Sequence, residues 1–224
     1  MGIEINVIAK IYNGFSEKFG IPRQSGLTNA ESTIVFEPEY RNADALRGLE
    51  EYSHIWLLWY FSEFKTENWS PTVRPPRLGG NVRMGVFATR SPNRPNPLGL
   101  SVVKIKRIEL SSPQGPRIIV TGADLQNGTP IFDIKPYLPF ADCVSDAKSG
   151  FAGEKMGYAL SVEIGEELRT KVSDEDFTTL MEVLAQDPRP AYQNDPDRVY
   201  SMSYKTMTVR FKVQEDRLIV TEIL

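Results

Sequence analysis

The sequence predicts a mainly β chain, a barrel or a sandwich, followed by a smaller α+β domain. Three observations carry this. Short β-rich runs recur between prolyl loops through the first 145 residues. Helical spacing in that region is confined to one brief turn. From about residue 154 the texture changes, and a capped amphipathic stripe appears between strand runs. The chain has 224 residues, 41% apolar and 25% charged, which is the composition of an ordinary globular protein of one or two domains.

Taken in order, Ile3, Ile5, Val7 and Ala9 alternate and predict a first strand. Tyr12 to Leu27 is polar, rich in turn formers, and reads as a long ordered loop. Ser32 to Phe36 is β-rich and is stopped by Pro38. Ala45, Leu46 and Leu49 have helical spacing and mark a short helical turn. Tyr52 to Phe61 is apolar almost throughout, with aromatic and β-branched residues, and predicts a buried strand. Phe64 to Gly80 is a prolyl loop, and Met84 to Thr89 a short strand. Ser91 to Gly99 holds three prolines and is excluded from regular structure. Strands follow at Leu100 to Glu109, Arg117 to Thr121 and Pro130 to Ile134, with a turn at Asn127-Gly128.

Ser145 to Gly153 is small and polar and reads as a linker, dividing residues 1–145 from 154–224. Tyr158 to Ile164 alternates as a strand. Ser173, three residues before Asp176, is a helix start, since a Ser side chain accepts the third backbone N–H. Phe177, Leu180, Met181 and Leu184 then form one apolar stripe. Tyr200 to Val213 and Leu218 to Leu224 predict a closing hairpin across Gln214-Glu215-Asp216.

Several classes are excluded. The longest apolar run, Ile55 to Phe61, is far below the roughly 20 residues of a membrane helix. The N-terminus lacks a basic segment followed by an apolar one, so no signal peptide is expected, nor is a lipid anchor at Gly2. One cysteine, Cys143, forms no internal disulfide and fits a reducing cytoplasm. With one histidine, His54, it does not build a typical structural zinc site, so no metal is expected. There is no G-x-G-x-x-G, P-loop, G-x-S-x-G or H-E-x-x-H, which disfavours the common nucleotide enzymes and hydrolases.

The net charge of -3 hides an asymmetry. From Asn68 to Ile108 there is no Asp or Glu, yet the stretch holds Arg74, Arg77, Arg83, Arg90, Arg94, Lys104, Lys106 and Arg107. That pattern points to an anionic partner at one face, against the simpler reading of a solvated basic loop. Arginine dominates, which suits forked contacts to phosphate or carboxylate.

Three clusters carry candidate chemistry. Pro22-Arg23-Gln24-Ser25-Gly26 is a stiff loop presenting fixed donors, or else a plain surface turn. Arg83 to Gly99, RMGVFATRSPNRPNPLG, is a proline-stiffened loop carrying Arg, Asn and Ser, as loops at sites do. Asp124-Leu125-Gln126-Asn127-Gly128-Thr129-Pro130, leading to Asp133-Ile134-Lys135-Pro136-Tyr137, offers an acceptor for hydroxyl or amino groups at Asp124. In it Lys135 and Tyr137 can reach a phosphate or a base. His54, inside an apolar strand, reads first as a core or interface residue. Tyr52, Trp56, Trp59, Tyr60 and Phe61 read as core or subunit contact before base-stacking platforms.

These blocks, together with DALRGLE to SHIW, PPRLGG, the PLPFAD end of the third cluster and AQDPRPAY at Ala185 to Tyr192, resemble the TsaA-like/YaeB family over nearly the whole chain. Characterised members of that family are tRNA (adenine-N6)-methyltransferases. The resemblance implies a small antiparallel β-barrel with a smaller α+β C-terminal domain. The barrel binds S-adenosylmethionine without a Rossmann fold, near a homodimer interface. The implied acceptor is threonylcarbamoyladenosine (t6A) at tRNA position 37, in the anticodon loop, giving m6t6A.

Carried onto this chain, the donor motifs fall on Arg23, Gln24, Ser25, Arg90, Leu100, Asp124, Leu125, Gln126, Asn127 and Gly128, with Ser62 and Glu63 at a further position. Candidate tRNA or substrate contacts are Arg77, Arg94, Lys135, Tyr137, Arg189 and Tyr192. The acceptor nitrogen belongs to a urea, so a base helps, and Asp133 and His54 are the candidates. A noncatalytic RNA-binding barrel, or a methyltransferase acting on another acceptor, remain as alternatives.

Overall fold

The computed structural model describes residues 2–64, 68–75, 82–155, 157–189, 193 and 195–224. Six strands close an antiparallel barrel: β1 (Ala9–Asn13), β2 (Glu31–Phe36), β3 (His54–Tyr60), β6 (Leu98–Glu109), β7 (Arg117–Thr121) and β8 (Pro130–Pro136). Their order around the barrel is β1-β2-β7-β6-β3-β8, with β8 returning to β1 through Ala9 opposite Ile131. Closure removes the exposed strand edges that would otherwise template aggregation. Two short strands, β4 (Thr72–Val73) and β5 (Met84–Gly85), pair outside the barrel.

The barrel is filled by one side of each strand. On β3, Ile55, Leu57 and Trp59 point inward and alternate with half-buried His54, Trp56, Leu58 and Tyr60. Ala9, Ile11, Ile34, Val103, Ile118, Val120 and Ile131 complete this core. The expectation of a strand buried on both faces is therefore corrected. A six-stranded barrel has one inside, so only alternate residues of β3 enter it.

The second unit is a four-stranded sheet, ordered β10-β11-β12-β9, with helix α3 (Asp174–Ala185) packed on it. Its strands are β9 (Ser161–Ile164), β10 (Tyr200–Tyr204), β11 (Met207–Gln214) and β12 (Arg217–Ile223); β9 runs parallel to β12. Short helix α1 (Pro139–Asp142) follows β8, and α2 (Glu166–Arg169) lies between β9 and α3. Ser173 caps α3, accepting from the Asp176 amide at 3.2 Å. The buried stripe of α3 is Thr179, Leu180, Val183 and Leu184, with Phe177 packed against the core.

Several boundaries differ from expectation. β6 opens at Leu98, inside the prolyl stretch excluded from regular structure, because Leu98 and Gly99 pair with Tyr60 and Trp59 of β3. β9 begins at Ser161 rather than Tyr158, and β8 runs on to Pro136. The first strand begins at Ala9; Ile3 and Ile5 keep its parity but stand exposed, because pairing with β2 and β8 starts at Ala9. Met84 to Thr89 is a strand for two residues only; it then tightens into a 3-10 turn, Val86–Ala88, closed by the Thr89 hydroxyl on the Val86 carbonyl. Tyr200 to Val213 is two strands, reversed at Lys205, whose φ is 52°. That turn contains no glycine, asparagine or proline, so nothing in its composition marked it. The expected linker ends in a 3-10 turn over Gly150–Lys155.

The long loop after β1 joins the two units. Phe15 is 1% exposed and lies in the core of the second sheet, its ring centroid 5.3 Å from that of Tyr204. Phe19 and Ile21 pack against the same core. Asn29 donates to the Glu182 carboxylate on α3 from both its amide nitrogens, each at 2.6 Å. Phe15→Ala is expected to cost about 3–5 kcal/mol in chemical denaturation, as for other buried phenylalanines. A loss below about 1 kcal/mol would contradict this packing.

Candidate active site

At the rim of the barrel the loop 18–24, the end of β3, the prolyl loop before β6 and the segment after β7 enclose a cleft of about 620 Å³. Clefts of this size hold small ligands. Trp59, Phe61 and Phe64 supply aromatic wall, and Pro22, Pro92 and Leu100 supply aliphatic wall. Polar groups enter at few points: Arg23, Gln24, Ser62, Glu63, Arg90, Arg94, Ser101, Asp124 and Gln126, with Lys18 at the edge.

Asp124 is the central polar group. Gly122, with φ 85°, turns the chain at the end of β7 and carries Asp124 to the cleft. Its Oδ1 accepts from the Ser101 hydroxyl at 2.6 Å, and Ser101 in turn accepts from the Trp59 indole N–H at 3.0 Å. Burial pushes the Asp124 carboxyl above its ordinary range. The Ser101 hydroxyl, the backbone amides of Asp124 and Ser25, and the Arg90 charge oppose that shift. The Trp59 ring is admitted because residue 99 is glycine: a Cβ there would lie 2.1 Å from the indole. The glycine and serine of the LGLS run thus have one shared purpose, seating Trp59 and Asp124.

Arg90 donates to the Gln24 side-chain oxygen, and Gln24 donates to the Arg23 carbonyl at 2.6 Å. The Arg23 guanidinium bonds the carbonyls of Asp187 and Arg189. Arg94 faces the cleft while donating to the carbonyls of Thr89 and Ser91, which stiffens its own loop. Of the basic run, Lys106 and Arg107 pair with Glu31, and Arg107 also with Glu109, so part of that charge is neutralised within the barrel.

The structure brings Arg23, Gln24, Ser62, Glu63, Arg90, Leu100, Asp124 and Gln126 to one cleft, with Arg94. Ser25 contributes its amide to Asp124 rather than a wall. Leu125 is buried in the barrel core. Asn127 and Gly128 form a turn tied to β1: Asn127 accepts from the Asn13 amide, and the Gly128 amide donates to Ile11. These three support the cleft from behind. Arg77 and Tyr192 lie outside the described residues.

Asp133, Lys135, His54 and Tyr137 are not among the residues lining this cleft. Asp133 and Lys135 form an ion pair at 2.9 Å on β8, and Asp133 borders a second cavity beside Tyr40 and Tyr52. The His54 Nδ1 is 2.8 Å from the Ser53 hydroxyl, and its ring meets Tyr137 edge-on. Arg189 is buried against Asp187. Sequence reasoning missed Ser101, a polar residue in phase with the inward residues of β6. An inward polar group in a strand needs a partner, and that was the available signal.

A closed barrel with a rim cleft of aromatic walls, one half-buried carboxylate and flanking arginines defines a site suited to a polar, partly aromatic small molecule, on a fold without a dinucleotide motif. Residues 10–143 match the family model of the tRNA-methyltransferase O N-terminal domain, and residues 157–224 match the TrmO C-terminal domain. The tRNA (adenine(37)-N6)-methyltransferase of Escherichia coli (strain K12) is 43% identical over 218 residues, covering 93% of this chain and 92% of that one. A putative S-adenosylmethionine-dependent methyltransferase, RcsF, of Pseudomonas aeruginosa is 40% identical over 224 residues, covering 96% and 94%. The crystal structure of TrmO from Pseudomonas aeruginosa aligns with a TM-score of 0.82 at 33% identity, over 100% of this chain and 97% of that chain. The chain belongs to the TrmO family.

The raised carboxyl of Asp124 has a consequence for stability. The native state holds that proton more tightly than the unfolded chain, whose aspartates titrate near 3.9. Stability from this group is therefore greatest below the unfolded value and is lost as pH rises through the folded one. The unfolding free energy of the wild type minus that of Asp124→Asn is expected to fall as pH rises above the unfolded aspartate value. A difference that stays flat or rises would refute the assignment.

Proposed function

We propose that this chain is an S-adenosylmethionine-dependent tRNA (adenine(37)-N6)-methyltransferase, and that its acceptor is the adenosine already carrying a threonylcarbamoyl group. Membership of the TrmO family and the relatives named above support the reaction class. The observation that carries the donor site is the constellation at the cleft: the Asp124 carboxylate, the Arg90–Gln24 pair and the Trp59–Phe61 wall.

The donor set fits the proposed cofactor chemically. An aromatic wall suits an adenine ring, a half-buried carboxylate accepts from ribose hydroxyls or an α-amino group, and an arginine pairs with an α-carboxylate. When bound, S-adenosylmethionine supplies the methyl group on a positively charged sulfur. The transfer is an in-line displacement, which demands alignment with reacting atoms at about 3–3.5 Å. The chain meets that demand with stiff walls. Pro22, Pro92 and the backbone-bonded Arg94 restrict the loops on one side, and Trp59 bonded to Ser101 restricts the other. Of Arg94 and Lys135, the candidates to pair with the threonyl carboxylate of the acceptor, Arg94 is the one that lines the cleft, which supports it. Asp133 and His54 are not among the residues that line the cleft, so alignment carries more of the reaction than a base from either.

The outer face of β3 and β6 presents Trp56, Leu58, Tyr60, Leu100 and Val102 together, with Leu100 56% exposed. This supports a homodimer pairing over that face, beside the cleft edge. A cytoplasmic location follows from the proposed tRNA substrate. Among the described residues no helix is long and apolar enough to cross a membrane, and no His, Cys, Asp and Glu group is placed to hold a metal.

The test is methyl transfer from labelled S-adenosylmethionine to tRNA with and without the threonylcarbamoyl group, read as nucleoside masses. The expected product is threonylcarbamoyladenosine heavier by one methyl, with unmodified tRNA a poor substrate and activity falling steeply with salt. Asp124→Ala is expected to weaken donor binding about tenfold or more, as for a lost hydrogen bond to a charged group. Equal rates on the two tRNAs would remove the acceptor assignment. Intact tRNA binding with no transfer would leave a noncatalytic RNA-binding barrel, and salt-insensitive transfer to another acceptor would remove tRNA.

A further inference from the structure

A buried ion pair stands behind the cleft wall, in the second unit. Arg189 donates to Asp187 through Nε at 2.8 Å and Nη2 at 2.9 Å. The two side chains are 7% and 12% exposed. The Tyr158 hydroxyl donates to the same carboxylate at 3.2 Å, and the guanidinium lies 6.0 Å from the Tyr200 ring centroid. Asp187 follows the C-cap residue of α3, Gln186, and has φ 51°, the left-handed conformation that ends many helices. Aspartate tolerates it better than most residues.

The chain turn made this way is aimed at the cleft. The carbonyl oxygens of Asp187 and Arg189 both accept from Nη2 of Arg23, the second at 2.9 Å. Arg23 lines the cleft, next to the Gln24 that accepts from Arg90. The same loop is tied to α3 once more, where Gln186 donates to the Leu27 carbonyl at 3.1 Å.

We propose that Asp187 and Arg189 are positioning residues for donor binding: their ion pair shapes the turn whose two carbonyls hold the Arg23 guanidinium in the cleft wall. This rests on the reading of the cleft as the donor site. It replaces a direct tRNA contact at Arg189. Arg189 as a whole is 6% exposed and its guanidinium is committed to a carboxylate; pairing with a phosphate instead would leave Asp187 buried without its counter-charge, which is costly. Donor affinity is thereby made to depend on the second unit.

The test uses the full chain with Arg23→Ala, Arg189→Ala, Asp187→Asn and the pairwise combinations with Arg23→Ala. Calorimetry gives the Kd for S-adenosylmethionine, initial rates give the KM for tRNA, and melting reports folding. Arg189→Ala is expected to raise the donor Kd about fivefold or more, as for one lost hydrogen bond, with the tRNA KM unchanged. In the Arg23→Ala background the same change is expected to add nothing, since both act through one contact. If Arg189→Ala does not fold, Asp187→Asn carries the same cycle, because it keeps the side-chain shape and tolerates the left-handed turn.

A lowered melting temperature with unchanged donor Kd would overturn the proposal, as would a rise confined to the tRNA KM, or losses that add fully in the double variant. An Arg23→Ala variant with wild-type donor affinity would overturn the donor reading of the cleft itself, and this inference with it.

Discussion

Phe15, Phe19 and Ile21 leave the barrel and bury in the core of the second sheet, and the position of the cleft depends on that insertion. The loop that follows β1 is too polar to build a core of its own. By lending three apolar side chains to a neighbouring core it becomes a fixed wall. Hydrophobic burial sets the approximate place; hydrogen bonds from Asn29 and Arg23 to α3 and its C-terminal turn, and from Gln186 back to the Leu27 carbonyl, set the orientation. Arg23 and Gln24 are presented from this doubly anchored segment, which is how a loop reaches the rigidity usually supplied by a strand.

Two carboxylates, Asp187 buried and Asp124 half-buried, sit near the cleft under opposite conditions. Asp187 faces a bidentate arginine and a tyrosine hydroxyl, so its charge is compensated and serves architecture. Asp124 has a serine hydroxyl, two backbone amides and a more distant arginine, and burial outweighs them. The protein therefore carries an under-compensated acceptor where a ligand's hydroxyl or ammonium donors can complete it. Such a group opposes folding at neutral pH and favours binding, a trade that recurs at functional sites.

The barrel contributes a rim rather than a pore. Its interior is filled by Ile, Val, Leu and Trp, and the cleft begins where Trp59, the last inward residue of β3, and Ser101, the first inward side chain of β6, meet Asp124. Gly99 lets the two strands carry a tryptophan across their pairing, so one residue without a side chain decides whether the aromatic wall exists. No glycine-rich nucleotide loop is required, because backbone stiffness comes from prolines and from side-chain bonds back to the main chain.

The local features were readable from sequence for local reasons. Strand parity, the Ser173 cap and the turn at Asn127-Gly128 depend on neighbours a few residues away. So does the approximate extent of β2, β6, β7 and β8, and each appears where its pattern placed it. The motif-bearing loops were legible too, and many of their residues line one cleft. Long-range geometry was not legible. The start of β1 was decided by pairing with β8, the inward face of β3 by barrel closure, and the turn at Lys205 by a conformation its composition does not advertise. The separation of Arg23, Asp124 and Gln126 from Leu125, Asn127 and Asp133 was likewise tertiary, because alternation sends adjacent residues to opposite sides. Arg189 shows the limit most clearly: its sequence marks it as a functional motif, but only the fold shows that its charge is spent on Asp187 while its carbonyl holds Arg23, since hydrogen bonds across more than 160 residues leave no local trace.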